Sequence, residues 1–201
     1  RRWMLGAAGT FGGGAVLLAA MAFRKAGGEI ATVEVEGQRY RALDRDGQTL
    51  WSKVSTADGR SRQERYGYGV WPQNVWVGDL LGDGHNVVVM TIPGENGRVA
   101  CIDARGEELW SFTCQRTVRT AANPDGYAPP YMIRGLAVIP PLPGEKARRV
   151  VVMSSHATYF PSQVAVLDAS GRLQREYWHS GHLAVIRIMH LKAGLRVLLG
   201  G

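Results

Sequence analysis

The sequence predicts an all-β fold. It is read as a partial β-propeller of four-stranded antiparallel blades over residues 29–201, about three blade units, preceded by one N-terminal transmembrane helix within residues 1–28. Three observations predict this. After Gly28 no stretch sustains a 3.6-residue apolar period, and short β-branched runs alternate with turn residues instead. An Asp-x-x-Gly turn recurs at Asp44, Asp103 and Asp168, at intervals of 59 and 65 residues. Residues 3–23 contain no charged side chain.

The composition agrees. Of 201 residues, 45% are hydrophobic and 20% charged, which excludes both a disordered tail and a polytopic membrane protein. Glycine is abundant at 26 residues, as a turn-rich chain requires. The chain opens on Arg1 and closes on Gly201, and is read as a piece of a longer protein.

At 1.5 Å per residue, residues 3–23 span roughly the 30 Å hydrocarbon core. Arg1-Arg2 and Arg24-Lys25 bracket the segment, and Trp3 stands at an interfacial position. Two functions fit. One is a single-pass anchor. The other is an export signal, because Arg1-Arg2-Trp3-Met4-Leu5-Gly6 resembles a twin-arginine leader and Ala20-Met21-Ala22 offers a small-x-small cleavage site. The positive pair directly after the apolar run favours the anchor. Either way, residues from about 29 onward are expected outside the cytoplasm.

Strands are expected at 30–35, 38–43 and 49–54, then at 75–79, 87–92, 99–103 and 108–112. A similar set follows at 134–139, 150–154, 164–168 and 173–178, and a last pair at 185–191 and 195–199. The connectors Asp46-Gly47, Gly82-Asp83-Gly84, Arg105-Gly106 and Ser170-Gly171 carry residues suited to positive φ. In the repeated turn, the Asp side chain can accept a backbone N–H while Gly supplies the left-handed position. Trp51 and Trp110 then return on the next strand at matching places, where each can pack between neighbouring sheets.

The patterns Leu43-Asp44-Arg45-Asp46-Gly47-Gln48-Thr49-Leu50-Trp51 and Ile102-Asp103-Ala104-Arg105-Gly106-Glu107-Glu108-Leu109-Trp110 resemble the repeat of quinoprotein-alcohol-dehydrogenase-like (PQQ-like) propellers. The turn Gly78-Asp79-Leu80-Leu81-Gly82-Asp83-Gly84 before Val87-Val88-Val89 is similar to an FG-GAP/VCBS repeat. The third copy departs, with Arg175 near the Trp position and Trp178 displaced. The resemblance implies a ring of six to eight blades, closed by a segment beyond these residues.

Asp79 and Asp83 are the calcium candidates, because FG-GAP-type loops hold that ion on acidic turns. Ca²⁺ needs six to eight oxygens, and Leu81 and His85 occupy positions where oxygens would help, so a structural Asp-Gly turn competes. His179 and His182 are a spaced pair on a predicted turn, better explained by local hydrogen bonds than by zinc or copper. Cys101 and Cys114 could pair in an oxidising compartment, or could simply be small buried residues. The aromatic loops at 66–72 and 127–131 could recognise a protein, glycan or small molecule, or could pack over blade ends.

The net charge is +7, but four cations flank the N-terminal segment, leaving 20 basic against 17 acidic residues. The clusters Arg60/Arg62/Arg65 and Lys146/Arg148/Arg149 therefore read as solvated turns, and no nucleic-acid partner is expected. The expected function is a non-catalytic, membrane-tethered ligand- or protein-binding sensor module, with the membrane itself a partner through residues 3–23. The alternative is a quinoprotein-like oxidoreductase using PQQ and calcium.

Overall fold

In the computed structural model, the described residues are 28–36, 39–54, 75–92, 97–158, 160–191 and 194–201. The expected transmembrane or signal segment, the loop at 66–72 and the cluster Arg60/Arg62/Arg65 lie outside them. Among the described residues there is no helix, and none long and apolar enough to cross a membrane.

Among the described residues, fifteen strands form antiparallel sheets in chain order. The first sheet is β1 (Thr32–Glu36), β2 (Arg39–Leu43) and β3 (Thr49–Val54). The second is β4 (Val75–Gly78), β5 (Val87–Ile92), β6 (Arg98–Ile102) and β7 (Glu108–Phe112). A small hairpin of β8 (Val118–Thr120) and β9 (Asn123–Tyr127) intervenes. The third large sheet is β10 (Tyr131–Ile139), β11 (Arg149–His156), β12 (Ser162–Leu167) and β13 (Leu173–His179). Last comes the pair β14 (Val185–Leu191) and β15 (Gly194–Gly200).

Successive sheets stack face to face, and this explains the continuous apolar runs. In β5, Val87 and Val89 face the third sheet while Val88 and Met90 face the first. In β11, Val150 and Val152 face the second sheet while Val151 and Met153 face β14–β15. A strand buried on both faces has no polar alternation to show. Each fully buried Val contributes roughly 1.5–3 kcal/mol over an exposed one.

The repeat is carried in the register. Ala42 faces Trp51, Cys101 faces Trp110 and Val166 faces Arg175, each one step before a bulge. Trp51 and Trp110 are therefore equivalent, as expected, and Arg175 holds the third copy's Trp position. The β8–β9 hairpin was not expected. β10 starts at Tyr131 rather than Arg134, and β11 continues to His156.

Candidate functional site

The antiparallel order sorts the loops to two ends. One end carries the turns at Asp44, Asp103 and Asp168 together with the 79–86 and 140–148 loops. The other carries the 113–130 and 157–161 segments and the 180–184 connection.

At the first end the acidic residues build turns. Asp44 Oδ1 accepts the N–H groups of Asp46 and Gln48 at 3.0 and 2.8 Å. Asp103 Oδ1 accepts those of Arg105 and Glu107 at 2.9 and 2.8 Å. Asp168 Oδ1 accepts those of Ser170 and Arg172 at 2.9 and 3.0 Å. Burial pushes the Asp168 carboxyl up, but the Ser170 hydroxyl and the Arg172 donors outweigh it and hold it at about 2.

Asp79 is used in the same way. Its Oδ1 accepts N–H from Gly82 at 2.6 Å and Asp83 at 3.2 Å, and its Oδ2 accepts Gly84 N–H at 2.9 Å. Burial raises this carboxyl, yet those donors and the Arg148 charge bring it below the usual carboxylate range. Asp83 Oδ1 accepts His85 N–H at 3.0 Å. A Ca²⁺ ion at Asp79 and Asp83 would share oxygens with these donors and still need several more ligands. Among the described residues, no three His, Cys, Asp or Glu side chains gather as a metal-holding group. The 140–148 loop packs on this turn: Arg148 N–H donates to Leu80 O at 2.8 Å, and Arg148 Nε to Asp79 O at 3.1 Å. Arg148 also lies over the Trp76 ring at 5.8 Å, and Arg149 pairs with Glu145 at 2.8 Å. These basic residues are thus engaged in the fold.

Cys101 and Cys114 are both free and buried. Cys101 faces Trp110, four residues before Cys114 along the chain. At about 3.3 Å per strand residue that offset exceeds disulfide reach. Burial pushes the Cys101 thiol up to about 12 and also raises that of Cys114, so neither is a ready thiolate.

The second end gathers aromatics around His156, which the sequence patterns did not single out. His156 is 5% exposed. Its Nε2 donates to Ala128 O at 2.9 Å, and its Nδ1 accepts Thr158 N–H at 3.1 Å, which fixes the tautomer. Tyr131 and Tyr127 stand edge-on to the imidazole at 5.2 and 6.0 Å between ring centroids. Tyr131 donates its hydroxyl to Tyr127 O at 2.9 Å, and its ring meets Trp178 at 5.5 Å. The 127–131 loop is therefore packed aromatic structure at Tyr131. Burial lowers the His156 pKa, with the Ala128 bond opposing and the His182 charge adding to the lowering. His156 lies in the polar run Ser154-Ser155-His156, which prolongs β11 beyond the apolar Val150–Met153 stretch. That run was the sequence signal for it.

Above this pinned base, Phe160 is 70% exposed, and its ring lies 5.4 Å from that of His182. His179 does not join them as a metal pair; its Nδ1 accepts Gly181 N–H at 3.0 Å.

No protein-family model matches the sequence, and no curated protein matches it. Among solved structures, the chain is similar to BBS1N in a crystal structure of its complex with ARL6DN, soaked with mercury. The TM-score is 0.50 at 10% identity, over 87% of this chain and 52% of that one. The same complex soaked with lead gives a TM-score of 0.48 at 11% identity, over 86% and 53%. The chain thus spans about half the length of the solved chains it matches. At this identity the likeness concerns the fold alone, and that fold is propeller-like.

Proposed function

We propose that the chain is a non-catalytic protein-binding module. A membrane anchor at residues 3–23 tethers it, and its sheets lie outside the cytoplasm. The binding face is the loop end around Phe160. The observation that carries this reading is the 70% exposed Phe160 ring, set on loops that His156 and Tyr131 hold in place. An aromatic side chain has only two rotatable bonds, so it loses little conformational entropy when a partner covers it. The BBS1N chain, of similar fold, was crystallised in a complex, which supports a binding role for this architecture.

A photocrosslinking residue at position 160 tests the reading, with a control at Leu142, which is 42% exposed at the opposite end. The expected result is a saturable protein adduct at 160 and none at 142, formed on the outer side of the membrane. Equal labelling at both positions would reject the face. Alcohol oxidation by the chain that depends on added PQQ and calcium would reject the non-catalytic reading.

A further inference from the structure

Near the second end, two equivalent sheet interfaces are filled differently. The register aligns the first and second sheets, since Ala42 faces Trp51 as Cys101 faces Trp110. One pair further along the same face, Tyr40 faces Lys53 in the first sheet and Val99 faces Phe112 in the second. Val99 and Phe112 pack into the apolar cluster shared with the third sheet. Between the first and second sheets, a lysine stands where that phenylalanine would be. Lys53 is exposed, and a cavity of about 290 Å³ lies beside it.

The walls of this cavity are of two kinds. Met90, Ile92 and Ile102 of the second sheet supply apolar surface, while Tyr40, Lys53 and Arg98 supply polar groups. Arg98 is engaged, pairing with Glu108 at 2.6 Å. Burial raises the Glu108 carboxyl, but bonds from Arg98 and Ser111 and the charges of Arg98 and Lys53 outweigh it and lower the pKa. Two cations therefore stand against one carboxylate. The Lys53 ammonium itself is in no hydrogen bond or ion pair among the described residues. Tyr40 is buried, and its hydroxyl has no hydrogen-bond partner. Burial pushes this phenol up, so it stays protonated and is a donor. A buried hydroxyl without a partner is costly, and an acceptor brought into the cavity removes that cost.

We propose that this cavity binds a small monocarboxylate with an apolar tail, its carboxylate held by Lys53 and Tyr40. The size follows from the volume: at about 30 Å³ for each water-sized group, 290 Å³ holds on the order of ten heavy atoms. Octanoate is of that size. The charge follows from the walls, where the excess cation favours an anion and the free ammonium and phenol are both donors. The tail lies on Met90, Ile92 and Ile102, and gains by leaving water. A mostly apolar site with a few polar groups that fix orientation is the usual form of a small-ligand pocket. The cavity belongs to a different interface from the Phe160 loop and does not depend on that reading.

The test titrates octanoate into the full chain by isothermal calorimetry, with octanol and octylamine as controls. Octanoate should show one saturable site, and both controls should bind about tenfold more weakly or worse, the scale of one charge-assisted hydrogen bond. Lys53→Met keeps the aliphatic stem, removes the ammonium, and should weaken octanoate by about the same tenfold. Tyr40→Phe removes only the hydroxyl and should weaken it too. Lys53→Phe installs the residue of the next repeat, and should fill the cavity and abolish binding. Lys53 is at the surface and Tyr40→Phe keeps the ring, so near-UV circular dichroism can verify that each variant folds. Octanol binding as tightly as octanoate, unchanged affinity in Lys53→Met or Tyr40→Phe, or binding that survives Lys53→Phe would overturn the proposal. So would the absence of a saturable site.

Discussion

Trp51 Nε1 lies 2.9 Å from the carbonyl oxygen of Asp103 in the next sheet. The same oxygen also accepts the N–H of Gly106 at 3.0 Å. Trp110 makes the corresponding bond one residue further into its turn, at Ala169. A large ring that packs between sheets thus has its one polar group satisfied. The turn glycine lies against each ring: a Cβ on Gly106 would come within 3.0 Å of Trp51, and one on Gly171 within 2.6 Å of Trp110. At Asp103 and Asp168 the Asp-x-x-Gly turn is therefore an inter-sheet lock, a structural role.

Removing the ring should cost more than removing the bond. Trp110→Ala should lower stability by about 3–5 kcal/mol, the range for deleting a packed aromatic. Trp110→Phe keeps most of the apolar contact and should lose about 1 kcal/mol for the missing donor. Urea unfolding of the two variants checks the order. Equal losses would show that packing carries none of the effect.

The glycines should separate conformational strain from contact. Gly47 and Gly171 both have positive φ, +76° and +80°. At Gly47 a Cβ would meet nothing within 4 Å, whereas at Gly171 it would meet the Trp110 ring. Gly47→Ala should cost only the backbone term, roughly 1–2 kcal/mol. Gly171→Ala should cost clearly more and should shift the Trp110 fluorescence. Similar losses with no spectral change would argue against the lock.

These locks were legible in the sequence because a turn and a returning Trp are both local and recur. The strand pattern was legible too, from runs such as Val87–Met90 bounded by glycine turns. The β8–β9 hairpin was not, because Asn123-Pro124-Asp125-Gly126 has turn chemistry yet forms most of a strand. The aromatic base around His156 was hidden for a different reason. Tyr131, His156 and Trp178 sit on three different strands, and only the register of the third sheet brings their rings together. Sequence spacing carries no trace of such a contact.

Asp168 should make stability depend on acid. Its folded carboxyl titrates at about 2, against about 3.9 in an unfolded chain. A depressed carboxyl stabilises the fold above the unfolded value, and that contribution is lost as pH falls from about 4 toward 2. Asp168→Asn keeps Oδ1 for the two N–H groups but turns a donor toward Arg172 and Gln174, which now bond Oδ2 at 3.1 and 2.8 Å. The variant should be less stable than the parent at pH 7, with the gap narrowing at pH 2. Arg172 is 80% exposed, so added salt should also reduce the gap. Parallel stability curves across that window would remove Asp168 from the account.

His156 should add a second acid dependence, one that reaches the loop end. Its neutral form donates at Nε2 and accepts at Nδ1, so protonation would set a new N–H against Thr158 N–H. The rings facing it, Tyr127 and Tyr131, offer no carboxylate to compensate, and the His182 charge disfavours it further. A lowered histidine pKa means that the unfolded chain takes the proton first. Stability should therefore be fullest above about pH 6.5, fall as pH drops below that value, and level off below the folded pKa. Replacing His156 with Gln leaves no titrating group and should flatten the curve between those limits. The loop should respond with it. Ala157 N–H, bonded to Pro130 O at 3.0 Å, should lose hydrogen-exchange protection at pH 5 in the parent chain. If its protection is the same at pH 5 and pH 7.5, after correction for intrinsic exchange, His156 does not pin the 127–131 loop.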